Sequence, residues 1–347
     1  MRTRKEAVIA GRKQRRSRAE AVAEEAVEPQ PTSLWGIVDP ENSVLLPGKL
    51  DSLRRFLLLY SATRSCLWAV FAADLPQTGL ALTTIWLFGC AAAAFLGGAS
   101  SSATARSAAS WAPAAALIAL VPQLAWTLPF TNNHFILEML VMIVLAVAGG
   151  SRRSDASRNA HVQARSDGDV RLAWRGVAWL TLIVFFHTGL QKVIYGYWFG
   201  GEFLAWMIGN TNRFGDLFML FLSGGDILRL RAYNALSAGT GPYRVDSALF
   251  IAASNLVYIA EMALPVLLAW PRTRRLAAIA SLVLVFVMQL GAREYGFAFL
   301  FLHLLMMFLP GDAIRRTLPL TAAIMAWVIG AAFKIFPGGW MVDPRSM

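Results

Sequence analysis

Between residues 53 and 336 the chain runs through one long apolar window after another, separated by short polar or arginine-rich links. A helix rises 1.5 Å per residue, so about twenty apolar residues cross the ~30 Å hydrocarbon core of a bilayer. Candidate spans fall at 55–75, 78–98, 111–130, 134–149, 175–196, 248–270, 275–292, 295–310 and 317–336. The shortest, 134–149, needs its flanks to snorkel or to lie inside the bundle. Only 15% of residues are charged and 56% are hydrophobic, with a mean hydropathy of +0.51. A soluble protein carries about 25% charge. An ordinary cytosolic enzyme, a disordered chain, a disulfide scaffold and a coiled coil are all excluded. The expected fold is an all-α integral membrane protein, a polytopic bundle of eight or nine transmembrane helices spanning 51–336.

The net charge of +11 lies outside the apolar spans, which reads as membrane topology and not as a nucleic-acid surface. Residues 1–30 hold eight basic and five acidic residues with no apolar run behind them, so no cleavable signal peptide is expected. Residues 1–50 read as a basic, largely disordered cytoplasmic tail, serving as a topology signal or as a contact for anionic headgroups. Six arginines in 151–175, three in Pro271–Arg275 and the Arg315-Arg316 pair all fall on one face if the N-terminus is inside. The Thr131–Asn133 turn and the tail 337–347 then lie outside. Segment 203–222 carries Arg213 and Asp216 near its middle. If it spanned, the Pro271–Arg275 cluster would move outside, so it is read as a re-entrant or interfacial hairpin, with 223–247 an external loop. The arginine-heavy composition is consistent with a multi-pass protein of a bacterial inner membrane.

An ionisable residue at membrane depth costs roughly 2.5–3.5 kcal/mol, so each needs a partner or a purpose. Arg64 lies nine residues beyond Arg55, and Glu261 nine before Trp270, each about 14 Å from the inner edge. A structural Arg64–Glu261 ion pair is expected, with a polar ligand for one of them as the alternative. Lys192 lies seventeen residues beyond Arg175, about 25 Å from the inner edge and near the outer surface. His134 opens a span from outside, and Glu138 lies one turn below it. Of five lysines, only Lys192 and Lys334 lie beyond residue 49. Where arginine is the default cation, a lysine suggests an amine able to lose its proton, which arginine cannot do. Snorkelling, or pairing with Glu138, is the plainer account of Lys192. A histidine at a helix start ordinarily bonds a nearby carbonyl. His187 and His303 fall near mid-membrane, where they could form a polar contact between their spans; structural hydrogen bonding is the default. Cys66 and Cys90 read as buried thiols. No metal-ligand spacing, Ser-His-Asp set, P-loop or dinucleotide fingerprint is present, and no metal is expected.

Two motifs carry a family resemblance. Asn132-Asn133-His134 opens one span, and Gly189-Leu190-Gln191-Lys192 closes another, followed by Trp198 and Gly200-Gly201. Together with Glu261-Met-Ala-Leu-Pro265 and the Gly296-Phe297 step, they resemble the membrane domain of vitamin K-dependent gamma-glutamyl carboxylase. Its bacterial relatives, the horizontally transferred transmembrane (HTTM) domain proteins, are similar in the same places. The resemblance covers roughly 50–310. It implies that Lys192 is a base toward a reduced menaquinone or vitamin K-like quinol, used with O2 (and CO2 if carboxylation follows), with His134 assisting. Asn133, Glu138, His187, Trp198, Glu261 and His303 are further candidates for ligand contact, from motif or from depth. Two departures stand out. The Lys192-to-Trp198 spacing is one residue longer than in the family, and only Pro337–Met347 follows the last span, where the carboxylase has a large luminal domain. Recognition of a propeptide is therefore not implied. Short relatives include factors for maturing secreted peptide toxins.

Two readings follow. In one, the chain is a quinol-dependent membrane enzyme acting at the outer face on a small or peptidyl substrate. In the other, it is a non-catalytic membrane protein, a peptide-toxin maturation or export factor or a transporter-like protein. The first expects an apolar cavity open to the outer leaflet, with Lys192 and His134 on its wall and no Lys192–Glu138 salt bridge. An inverted repeat with broken helices would favour transport, and the sequence shows no such repeat.

Overall fold

A computed structural model describes residues 38, 45–71, 77–127, 133–151, 160–211, 214–218, 221–236, 243, 245–292 and 294–335, all within one unit, Val38–Met347. Most of the expected basic tail and the whole 337–347 tail lie outside the described residues. Among the described residues every regular element is helical: α1 Leu46–Phe71, α2 Gln77–Ala99, α3 Ala103–Thr127, α4 Asn133–Ser151, α5 Ala160–Tyr195 and α6 Glu202–Thr211. Then follow α7 Gly215–Phe218, α8 Gly224–Leu236, α9 Ala248–Ala269, α10 Arg274–Ala292, α11 Tyr295–Met306 and α12 Ala313–Ala332.

Five stretches are long and apolar enough to cross a membrane: α2, 104–125 of α3, 168–195 of α5, α9 and α10. This is the architecture of a helical membrane protein. Two shorter apolar helices, at 134–148 and 296–306, complete the apolar set. The segment after α5 breaks into α6, α7 and α8, of ten, four and thirteen residues. None of these reaches the length a bilayer crossing needs. Part of the external loop expected at 223–247 is thus helix α8.

Helix α1 is the hub, packing on α2, α3, α4, α5, α11 and α12. Its lower end is fastened by polar contacts. The buried Lys49 ammonium donates to the carbonyls of Met307 (3.0 Å) and Leu309 (2.6 Å) beyond α11. It also lies 5.4 Å from the Trp174 ring, while the Trp174 indole donates to the Val38 carbonyl. Burial pushes the Lys49 ammonium below its ordinary pKa; the Asp312 carboxylate opposes that drop and Arg274 adds to it. Ser52 donates to Asp312 (2.7 Å), and Asp312 accepts from the Arg315 amide to cap α12.

Halfway up α1, Arg64 makes an ion pair, but not with Glu261. Its Nε lies 2.9 Å from Glu138 of α4, with both side chains essentially sealed. Ser61 also donates to Glu138, and Gln123 of α3 accepts from Arg64. The guanidinium lies 3.9 Å from the Phe135 ring centroid and 4.7 Å from that of Trp68. The expected Arg64–Glu261 pair is therefore corrected. Depth alone matched the two residues, but α1 packs on α4, whereas α9 packs on α5 and α10. Cys66 and Cys90 are free buried thiols, as read from the sequence.

Removing one member of such a pair strands a buried charge and costs about 3–5 kcal/mol. Arg64→Met should therefore lower the thermal unfolding midpoint in detergent sharply, and adding Glu138→Met should restore most of the loss. A double variant no more stable than the single one would show that the pair is not coupled.

Candidate functional site

The site begins with a glycine. At Gly189, helices α5 and α9 approach so closely that an added Cβ would meet Met262 Cγ at 2.8 Å and the Tyr258 carbonyl oxygen at 3.0 Å. One turn further along the same face of α5 comes Lys192, and opposite it on α9 comes Glu261. Lys192 Nζ donates to Glu261 Oε2 at 2.5 Å, with side-chain exposures of 17% and 12%. Pro265, one turn after Glu261, has no N–H to bond the Glu261 carbonyl, so that carbonyl lacks its helical partner.

Beyond α5 the chain reverses through Gly196 (φ +73°) and Gly201 (φ +77°), backbone angles that glycine adopts without steric cost. Two side chains of α9 hold this turn: Ser254 donates to the Trp198 carbonyl (2.7 Å) and Asn255 to the Phe199 carbonyl (2.9 Å). The buried Trp198 indole is thereby set 4.9 Å from Lys192 Nζ, within cation–π range. Phe203 of α6 stacks on Trp198, with centroids 4.9 Å apart.

These groups line a cavity of about 610 Å³ between α5, α6, α9, α10 and α11, with His134 at the start of α4 on its wall. The wall is mostly apolar. A row of rings runs from His134 to Phe297 (6.3 Å), Phe301 (5.0 Å) and Phe185 (5.2 Å). Phe214 closes another part of it at φ +60°, a left-handed backbone angle costly for a bulky side chain. Its amide donates to the Gly291 carbonyl at 2.9 Å, and Gly291 has no room for a Cβ beside the Phe214 ring.

Lys192, His134, Trp198 and Glu261 therefore meet at one cavity, although they come from three separate stretches of chain. Asn133 is the first residue of α4, and its side chain lies outside the described residues. The other candidates lie elsewhere. Glu138 is committed to Arg64 and Ser61 inside the bundle. His187 is exposed on α5, at the margin of the face that lines the cavity, and is not among the lining residues. The expected contact between His187 and His303 is not made. His303 is buried instead, stacked on Phe56 at 3.7 Å. Its Nδ1 faces the Phe299 carbonyl (2.7 Å) and so carries the hydrogen, leaving Nε2 to accept from the Thr321 hydroxyl (3.1 Å).

The depth estimates also need correction. Counted from Arg175 and Trp270, Lys192 and Glu261 lie about 12 Å apart along the membrane normal, yet they touch. Helix α5 begins at Ala160, so Arg175 sits well inside a continuing helix and is not a fixed point from which depth can be counted.

Sequence reasoning missed Gln289. It is 8% exposed on α10 and lines the cavity, and its Oε1 is buried without a hydrogen-bond partner. An unpaired buried amide costs about 1–3 kcal/mol. Its signal was available: an amide stands late in the apolar run Leu282–Leu290.

No protein-family model, no curated protein and no solved structure matches this chain.

Gly189→Ala should cost about 1–3 kcal/mol by overpacking the α5–α9 contact. Gly89→Ala, where nothing lies within 4 Å of the added Cβ, should be neutral or gain up to about 1 kcal/mol of helix propensity. Thermal unfolding in one detergent compares them, and equal effects would contradict the close approach.

Proposed function

We propose that this chain is a membrane enzyme that takes the proton of a ring hydroxyl on a lipid-soluble quinol, with the Lys192–Glu261 pair as the proton-handling unit. The observation that carries this reading is a water-poor ion pair set on the wall of an aromatic-lined cavity of about 610 Å³ that also holds His134. A flat ring fits between the aromatic faces of such a cavity, and an isoprenoid tail has apolar wall to follow. Reduced menaquinone, or a vitamin K-like quinol, is the ligand that the resemblance to the HTTM and carboxylase families implies. Bound there, it would supply an ionisable hydroxyl and, with O2, an oxidation able to drive modification of a small or peptidyl substrate at the outer face.

The chain's own residues then divide the work. Glu261 is the net acceptor: its carboxylate takes the hydroxyl proton, directly or by way of the Lys192 amine, as one O–H bond breaks and another forms. Lys192 ends protonated, its charge held beside the oxygen that has lost the proton. The transfer leaves the number of charges in the recess unchanged, the ammonium exchanging the carboxylate for the oxyanion as its counter-ion. Trp198 and Phe203 screen the pair from water, and His134 stands by for a second proton. In the bilayer we place eight or nine spans with the N-terminus cytoplasmic, since the arginine-rich links then share one face of a bacterial inner membrane.

A second reading is favoured by one observation: both buried ion pairs are mutually satisfied, as expected of a non-catalytic membrane protein such as a peptide-toxin maturation or export factor or a transporter-like protein. Purified protein given reduced menaquinone and O2 separates the two. We expect quinone epoxide by mass spectrometry, lowered at least 100-fold in Lys192→Ala and in Glu261→Gln. Epoxide unchanged by either substitution removes the pair from the reaction, and no epoxide at all supports the second reading.

A further inference from the structure

Gln289 is the cavity-facing residue that neither the ion pair nor the packing accounts for. More than nine-tenths of it is buried, it lies among the lining residues of α10, and its Oε1 has no partner. Its lining neighbours on α10 are apolar: Leu284, Val285, Met288 and Ala292. A buried amide in such a wall is stabilised when something fills its hydrogen-bonding capacity, and the other α10 side chains of the wall offer no oxygen or nitrogen for it. Other helices bring polar groups to the same cavity, among them Thr188 and Gln191, so water competes for this amide, and a ligand oxygen placed there replaces it.

We propose that Gln289 is a ligand-binding residue that holds a second, neutral oxygen of the molecule whose hydroxyl faces Lys192–Glu261. Helix α10 supplies Gln289, while α5 and α9 supply the ion pair, so two polar stations serve one apolar cavity from different helices. The amide both donates through Nε2 and accepts through Oε1. It can turn about its last torsion to present either atom, and so suits a carbonyl, an ether or a hydroxyl. A carboxylate or phosphate is disfavoured, because no cation stands among these α10 residues to offset its desolvation. The site therefore takes a flat apolar frame bearing an ionisable hydroxyl and, elsewhere on the frame, a neutral oxygen. This inference rests on the proposed function for the hydroxyl alone; the neutral oxygen is assigned by Gln289 itself.

The test uses the whole chain in lipid nanodiscs and two probes, 1-naphthol and 4-methoxy-1-naphthol, which differ by one ether oxygen. Calorimetric titration against empty nanodiscs gives the two Kd values. The wild-type protein should bind the methoxy compound about tenfold more tightly, as one additional hydrogen bond to a desolvated group allows. Gln289→Leu, of nearly equal size, should bring that ratio close to one while leaving the affinity for 1-naphthol within about twofold. Gln289→Asn, which keeps the amide on a shorter arm, should retain part of the ratio. Lys192→Met should weaken both probes together and preserve the ratio. If Lys192→Met changes neither Kd while Gln289→Leu still abolishes the ratio, the Gln289 assignment stands and the proton-handling role of the pair falls. A ratio that survives Gln289→Leu in folded protein, or no saturable binding of either probe, overturns the assignment.

Discussion

An ammonium group in hydrocarbon must be paired, and the 2.5 Å contact from Lys192 to Glu261 is how this bundle meets that requirement beside its cavity. Much of the surrounding structure follows from that contact. Gly189 lets α9 come close enough for Glu261 to reach the amine. The glycines at 196 and 201 turn the chain back, and Ser254 and Asn255 of α9 fix the turn so that Trp198 covers the lysine. One helix, α9, thus carries the counter-charge, the close approach and the anchors of the aromatic cover.

The bundle holds a second ion pair, and the comparison shows what is distinctive about the first. Arg64 and Glu138 are sealed between α1 and α4, with Ser61 bonded to the carboxylate, Gln123 to the guanidinium, and the Phe135 and Trp68 rings near the guanidinium. Arginine keeps its proton, so this pair is a fixed structural link. The lysine pair lies on a cavity wall, is partly exposed to it, and is built from two groups that can each change protonation state. A sealed arginine pair and an open lysine pair in one bundle suit different tasks, cohesion and proton exchange.

Long apolar windows and their periodic polar interruptions made the helices legible, because burial in lipid leaves the backbone few alternatives. The meeting of Lys192 and His134 at one cavity was also legible, from residue placement and motif, and Trp198 and Glu261 join them there. Which carboxylate meets which cation was not. Arg64, Glu138, Lys192 and Glu261 were assigned by depth along single helices, and partners are decided by which helices are neighbours. Depth counted from Arg175 and from Trp270 also disagreed for two residues that touch, Lys192 and Glu261. His187 and His303 had similar depths as well, yet their azimuths part them, one outward and one against Phe56 and Thr321. Gln289 escaped notice because a single amide in an apolar run acquires meaning only when its helix is seen to border a cavity.

The central claim is that the Lys192–Glu261 pair changes protonation when an acidic hydroxyl enters the cavity. Infrared difference spectroscopy reads this at the carboxylate, comparing the protein before and after 4-methoxy-1-naphthol is added. The account predicts loss of a carboxylate stretch and gain of a protonated carboxyl band, both absent from Glu261→Gln. Saturable binding with the Glu261 carboxylate band unmoved would contradict it.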